Sequence, residues 1–528
     1  MLPNLVEITS GLLVLLALVP AGHSVMERVT FNELLEATGG RPAAGCEAGS
    51  IAFCRLATDS RTVEHGDLFW AIKGERHDGH DFVAEAARRG AAGCVVQNGV
   101  VQNGVVDNGV VQDGVVQNRV VQSGVVQDGK TIPRGLPAAH VADTIQGLKD
   151  LARWYRQRRD ALVVGVTGSV GKTTTREMIY SVLRTRFDGC QSQKNYNNHI
   201  GLPLSVLQMH DRHEFAVLEM GASCGGEIRE LAAVASPEIG VVTRIGVCHL
   251  EGFGSLEQIV EAKGELVEAL PASGFAVLNG DDPHCQSLAR RARCTVVTVG
   301  QNAHNTFRAS GVEAAGPELR FHVDGNDFSV RAAGRHHLTG ALVSVAIARE
   351  LGLTTRQIEE GLAEFAPIDG RCQVRPLAAG TLIDDTYNAN PSSMEAACRL
   401  LGEWKSAGRR ILVLGDMAEL GDQSADWHEA IGRTAATLRI DRLAAFGRYA
   451  ADVTRGALDH GMTSDQLAVC HDLDVLLTVL DCWSAAGDVV LVKGSRSMQM
   501  ERVSEWLVRQ AEINKEKISP CERTRACA

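Results

Sequence analysis

At 528 residues the chain is long enough for about three domains. Its 45% hydrophobic and 22% charged residues match an ordinary globular enzyme, while a formal net charge of -11 argues against nucleic acid as a main partner. Fourteen cysteines without a CxxC pair or metal-ligand spacing read as reduced thiols in a cytoplasmic protein, not as a disulfide framework.

Residues 11–19, "GLLVLLALV", form an apolar run like that of a signal peptide. Glu7 stands where a positive n-region belongs, however, and the run is too short to span a bilayer. Either the start is placed upstream of the true one or the run is a signal or anchor. The domain-like pattern from Met26, "MERVTFNELLEATGG", favours the first, and no stable membrane insertion is expected. Residues 95–129 are seven tandem five-residue units beginning "VVQNGVVQNG". They could stack as a small solenoid or as hairpins turning at Asn-Gly. A period of five conflicts with the two-residue alternation of a strand, so a repeat expansion within a surface loop is the expectation.

From residue 161 short apolar strands alternate with amphipathic helices. Strands are expected at 161–166, 215–220, 239–245 and 275–279, and helices at 172–185, 226–235 and 255–270. A second series of strands begins near 370, in "TLIDDTY", "RILVLGDM", "RLAAFG" and "VVLVKG". Such alternation means largely parallel sheets covered on both faces, an α/β fold. Three domains are read, at 26–155, 156–368 and 369–510.

"GVTGSVGKTT" (165–174) resembles a phosphate-binding loop but has Val166 where the Walker pattern wants its first glycine. The loop's physics needs a strand ending there, a turn whose N–H groups point inward, and a helix starting at Lys172. Gly168 and Gly171 supply the permissive backbone. Lys172 would reach the β- and γ-phosphates, and the Thr173 hydroxyl would ligate Mg²⁺. Glu219 ends an apolar strand, where carboxylates face the ligand crevice of a parallel sheet and offer Mg²⁺ a hard oxygen; a surface glutamate is the alternative. A lone His249 reads as structural or exposed. Lys263, in "SLEQIVEAKGEL", reads as part of a helix's wet face.

The stretch 167–173, "TGSVGKT", resembles the ATP loop of the Mur ligase and folylpolyglutamate synthetase superfamily, in which the first Walker glycine is commonly absent. "TDSRTVEHGDLFWAIKGERHDGHDF" (58–82) resembles the UDP-sugar-binding domain of the peptide-adding Mur ligases, a domain folylpolyglutamate synthetases lack. "KNYNNHIGLPLSVL" (194–207), "DDTYNANPSSMEAA" (384–397), "VLGDMAELG" (413–421) and "LVKGSRSMQME" (491–501) are similar to the same family. The D-N-P-R motif of its diaminopimelate-adding branch does not occur.

This resemblance implies a central P-loop ATPase domain between an N-terminal UDP-binding domain and a C-terminal Rossmann-like domain. It also implies an ATP- and Mg²⁺-dependent ligase. Its expected partners are UDP-N-acetylmuramoyl-tripeptide and D-alanyl-D-alanine, joined through an acyl phosphate; the chain is expected to act as a monomer. A different amine, or idle ATP hydrolysis by a switch module, are the alternatives. The resemblance implies ATP contacts from Thr167, Gly168, Ser169, Val170, Gly171, Lys172, Thr173, His336, Arg371 and Asp385. Metal ligation is implied for Thr173, Glu219, His249 and a carbamylated Lys263, and catalytic roles for Lys172, His249, Lys263 and Arg371. Substrate contacts are implied for Ser60, Arg61, Lys73, Asn197 and Asn198. One departure stands out. The family usually reads G-x-H-N-x-x-N-A near the adenine, whereas residues 334–341 place His337 and Gly340 at the two asparagine positions.

Overall fold

The structure, a computed structural model, describes residues 26–43, 51–74, 77–102, 131–314, 316–377 and 380–523. The chain forms two compact units, one of residues up to 160 together with 203–211, the other of 161–202 together with 212 onward.

The first unit starts with helix α1 (Phe31–Thr38), closed at its N-terminus by a reciprocal capping box between Thr30 and Glu33. Its sheet contains β1 (Arg41–Pro42), β2 (Leu56–Ala57), β3 (Leu68–Trp70), β4 (Gly93–Gln97) and β5 (Ala138–Val141), in the order β1-β5-β4-β3-β2. Every pairing is parallel except β1 with β5. Helix α2 (Thr144–Arg156) is capped by Asp143, and the buried Trp70 indole donates to Thr144 O at 2.8 Å. The first repeat unit is not loop: Val95 and Val96 are fully buried in β4. Val101–Gln102 pairs in parallel with Thr131–Ile132. The rest of the expected loop, 103–129, lies outside the described residues, as does the apolar run 11–19.

In the second unit lie β6 (Leu162–Thr167), β7 (Gly189–Gln191), β8 (Phe215–Glu219), β9 (Ile239–Val242), β10 (Phe275–Asn279), β11 (Thr295–Gly300) and β12 (Phe307–Arg308). They form one all-parallel sheet in the order β7-β8-β6-β9-β10-β11-β12. Helix α3 (Lys172–Leu183) follows β6, and α4 (Leu256–Ala269) precedes β10. An antiparallel sheet of β13 (Ser310–Glu313), β14 (Leu319–Val323) and β15 (Asn326–Val330) comes next. Helix α5 (Leu338–Glu350) is apolar on all sides and buried from Gly340 through Ala348, as a core helix must be.

A third sheet completes this unit, with β16 (Gln373–Pro376), β17 (Thr381–Asp385), β18 (Arg410–Gly415), β19 (Arg442–Phe446), β20 (Leu467–Cys470) and β21 (Val489–Lys493). Its order is β16-β17-β21-β18-β19-β20, with only β16 antiparallel. Helix α6 (Pro391–Glu403) covers it, entered through an Asn390 cap with Pro391 at its first turn. Among the described residues no helix is long and apolar enough to cross a membrane.

Candidate active site

The phosphate loop is built as its physics requires. Strand β6 runs through Val166 to Thr167, with Val166 fully buried in the sheet's core. Position 166 therefore packs as a strand residue and has no turn for a glycine to make. Gly168 (φ 144°) and Gly171 (φ 88°) carry the turn, and a Cβ at Gly168 would collide with the Thr243 hydroxyl. Thr243 Oγ1 donates to Val170 O at 2.6 Å, and Ser169 Oγ donates to Gly246 O at 2.8 Å, so the loop is braced by the chain leaving β9. Thr167 Oγ1 donates to Met220 O on the other side, at 2.8 Å. Helix α3 follows Gly171 at its N-cap position with no side-chain cap, which leaves its first N–H groups to an anion. Lys172 Nζ donates to Gly168 O at 2.8 Å, and Thr173 is buried behind it.

Glu219 is directly beside this loop, paired in register with Val166. It is 2% exposed, Oε1 accepts from Asn197 Nδ2 at 2.8 Å, and Oε2 has no hydrogen-bond partner. The nearest countercharge to Oε2 is Arg176, at 3.7 Å. An unpartnered, buried carboxylate oxygen is costly and suits a hard divalent cation.

Lys263 is not on a wet face. It is 1% exposed, on the stripe of α4 that includes Ile259, Leu266 and Val267. Its Nζ sits 5.3 Å from the Phe253 ring centre. Burial, reinforced by repulsion from Lys172, lowers its pKa from 10.5 to about 8. Its position i+4 from Ile259 was the signal: helical spacing placed it with the apolar residues despite its charge. His249, capping the short helix Leu250–Phe253, is held at Nδ1 by Glu419, a residue the sequence reading passed over. Next to this pair a cleft of about 400 Å³ opens, with Leu250, Glu251, Leu420 and Asp422 in its lining.

Asp385, at the end of β17, accepts from Lys493 Nζ at 2.6 Å and from Cys372 N at 3.2 Å. Lys493 is a second residue the reading did not single out; a lysine ending an apolar strand, in "LVKGS", was the available clue. The Arg371 guanidinium stacks over Tyr387 at 4.1 Å. His336 lies where Gly334 (φ 100°) leaves room for its ring, and burial lowers its pKa from 6.5 to about 4. The missing asparagine at 340 has a physical reason. A Cβ on Gly340 would come within 2.9 Å of Thr175 Oγ1, because α5 crosses α3 closely there.

The expected substrate residues are placed differently from one another. Arg61 and Lys73 are exposed cations, with Arg61 paired to Asp59 at 2.7 Å. Ser60 is buried, its hydroxyl donating to Glu85 at 3.0 Å. Asn197 is taken up by Glu219, and Asn198 Oδ1 accepts from Gly201 N at 2.9 Å at the start of helix Gly201–Val206. These asparagine side chains are committed within the fold.

Three family descriptions match the chain: "Mur ligase family, catalytic domain" over 54–146, "Mur ligase middle domain" over 166–348, and "Mur ligase, glutamate ligase domain" over 370–496. The chain is 34% identical to the UDP-N-acetylmuramoyl-tripeptide–D-alanyl-D-alanine ligase of Bacillus subtilis (strain 168), over 86% of this chain and 93% of that one. A crystal structure of MurF from Acinetobacter baumannii superposes with a TM-score of 0.78 at 28% identity, covering 92% of this chain and 99% of that one. MurF ligase from Thermotoga maritima in complex with ADP gives a TM-score of 0.71 at 28% identity, covering 87% and 98%.

Proposed function

Because this chain belongs to the Mur ligase family, we propose that it joins D-alanyl-D-alanine to UDP-N-acetylmuramoyl-tripeptide at the expense of ATP, in the building of the peptidoglycan precursor. The observation that carries this reading is the phosphate loop set beside the buried Glu219 carboxylate, on a chain similar over 86% of its length to an enzyme named for that reaction.

A carboxylate is a poor electrophile, so its phosphorylation by ATP to an acyl phosphate comes first. The amine of the dipeptide then attacks, and the tetrahedral intermediate releases phosphate and leaves an amide. What the protein contributes is alignment and charge neutralisation. Residues 167–171 cradle the phosphates with backbone N–H groups, Lys172 turns from Gly168 O to the β- and γ-phosphates, and Arg371 balances charge from the C-terminal sheet. Asp385 and His336 hold the adenosine end. The unpartnered Glu219 oxygen fits Mg²⁺, which Thr173, Glu219, His249 and a carbamylated Lys263 would hold. When bound, Mg²⁺ supplies positive charge against the transferring phosphoryl group. Carbamylation needs a neutral amine to attack CO₂, with loss of one proton, and a lysine whose pKa is about 8 supplies one near neutral pH.

We assign UDP-sugar binding to 26–155, nucleotide chemistry to 156–368 and closure over the nucleotide to 369–510. The exposed cations Arg61 and Lys73 suit the diphosphate of the UDP moiety, while Ser60 holds the Glu85 side chain, Asn197 the Glu219 side chain and Asn198 the backbone at Gly201, and these positions are assigned to substrate binding. The cleft beside His249, with Glu251 and Asp422 in its lining, suits the ammonium of the incoming dipeptide. The enzyme works as a monomer in the cytoplasm, where its soluble precursors are. The test is phosphate release coupled to mass spectrometry of the product. Release that requires both the UDP-tripeptide and D-alanyl-D-alanine supports the reading. Release with ATP alone, or a product built on a different amine, replaces it with one of the alternatives.

A further inference from the structure

Outside the phosphate and magnesium residues, one cluster has metal-ligand chemistry. His336, His337 and Cys372 each present a ligand atom, and all three atoms lie within 4.8 Å of one another. Among the described residues no other group of three His, Cys, Asp or Glu side chains meets that condition. The imidazoles come from the turn before α5, with ring centres 4.0 Å apart. The thiol comes from the segment leading into β16, where Cys372 holds left-handed backbone at φ 51°. Cys372 Sγ is 3.5 Å from His336 Nε2.

We propose that His336, His337 and Cys372 form a binding site for a borderline-soft divalent cation, of which zinc is the type. Two imidazoles and a thiolate are the donor set such ions select, in contrast to the hard oxygens around Glu219. Tetrahedral zinc with sulfur at about 2.3 Å and nitrogen at about 2.0 Å brings ligand atoms to about 3.5 Å apart. The Cys372–His336 pair is already at that spacing, and the His337 ligand atom lies within 4.8 Å of both. Burial lowers the pKa of both imidazoles, favouring the neutral donors a metal takes, and raises that of the Cys372 thiol, so the sulfur becomes a ligand only as the metal displaces its proton. Binding takes the thiol proton: the S–H bond breaks, sulfur bonds to the metal, and the proton leaves to solvent. Water fills the fourth position. The Cys372 thiolate and the neighbouring Asp385 carboxylate offset the ion's charge, against the cations Lys493 and Arg371 close by.

The site also predicts an interaction with nucleotide. Asp385 and His336 are the residues assigned above to the adenosine end, so ion and nucleotide compete; this consequence rests on that reading.

Cobalt(II) titrated into the full chain, with a thiol-free reductant and without Mg²⁺, tests the site. The expected result is one equivalent bound with a sulfur-to-cobalt charge-transfer band and tetrahedral d–d bands, both bleached by zinc. Cys372→Ser should remove the charge-transfer band, and His337→Asn should weaken cobalt binding at least tenfold, with far-ultraviolet circular dichroism unchanged in both. No band in the wild-type chain, or one that survives in Cys372→Ser, overturns the proposal. ADP added to the cobalt form separates the two readings. Loss of the band with rising ADP supports both; a band indifferent to ADP keeps the metal site and removes adenosine from Asp385.

Discussion

The Glu419 carboxylate meets His249 Nδ1, and both residues hold left-handed backbone, at φ 60° and 48°. His249 follows β9 of the nucleotide sheet and Glu419 follows β18 of the C-terminal sheet, so the pair joins the two sheets. Left-handed backbone costs a non-glycine residue about 1 kcal/mol or more. An exposed carboxylate–imidazole contact returns about 0–1 kcal/mol. The contact therefore does not offset its own strain, and such strain persists where geometry serves a task. Holding Nδ1 leaves Nε2 as the ring nitrogen free to act, the arrangement in which a carboxylate orients a metal-binding histidine.

Glu419→Ala should therefore change unfolding free energy by less than about 1 kcal/mol while lowering turnover severalfold. Thermal melts and steady-state phosphate release measure the two. Wild-type turnover in this variant would reduce the pair to a surface contact.

Lys172→Ala should abolish ligation and leave the fold intact, because Thr243, Ser169 and Thr167 still brace the loop when the Lys172 bond to Gly168 O is removed. Loss of a phosphate-directed cation should cost at least about 3 kcal/mol of transition-state stabilisation. Near-normal single-turnover rates would take Lys172 out of the chemistry.

Lys263→Ala should be nearly inactive, and acetate or formate should restore part of the rate by placing an anion in the vacated space. A variant with full turnover would remove the carbamate from the mechanism.

The same lysine makes a stability prediction. Between pH 8 and 10.5 the unfolded chain keeps the Lys263 proton and the folded chain has lost it, so stability rises with pH across that window. Below about pH 8 the full penalty applies, on the order of 3 kcal/mol for this depression. In CO₂-free buffer Lys263→Met should therefore melt higher than wild type at pH 7, with the gap closing toward pH 10.5. Equal melting temperatures at pH 7 would contradict the burial argument.

Gly340→Asn, which restores the residue usual in the family, should destabilise by about 1–3 kcal/mol, because the new side chain meets Thr175 across the α5–α3 crossing. Denaturant unfolding decides it; a stability equal to wild type would mean the crossing can open.

Much of this architecture could be read from the chain because its signals are local. Strand β10 is found at the expected residues and β6 within one residue of them, since apolar runs bounded by turns leave few other registers. Strands β7, β12 and β13 are short or polar and carry no such run, so they gain their place only from neighbours. The apolar β11, "TVVTVG", had a readable pattern and was passed over. The charge of Lys263 points to a wet helix face, whereas its spacing from Ile259 gives the buried position it takes. The cysteines showed no metal-ligand spacing because Cys372 and His336 are brought together by tertiary packing, which spacing along the chain does not record.

Tyr155, near the end of α2, accepts from Glu27 N at 2.8 Å and donates to Met209 O at 2.6 Å. Val206, Leu207 and Met209 are all buried, and this segment belongs to the first unit although it is encoded after the phosphate loop. The N-terminal unit is therefore not a transferable cassette. A gene fragment ending at residue 160 would leave an apolar trench and a tyrosine hydroxyl without their covering strip, and should yield aggregating protein. Chimeras that exchange this unit between relatives need a second splice, bringing 203–211 from the same parent.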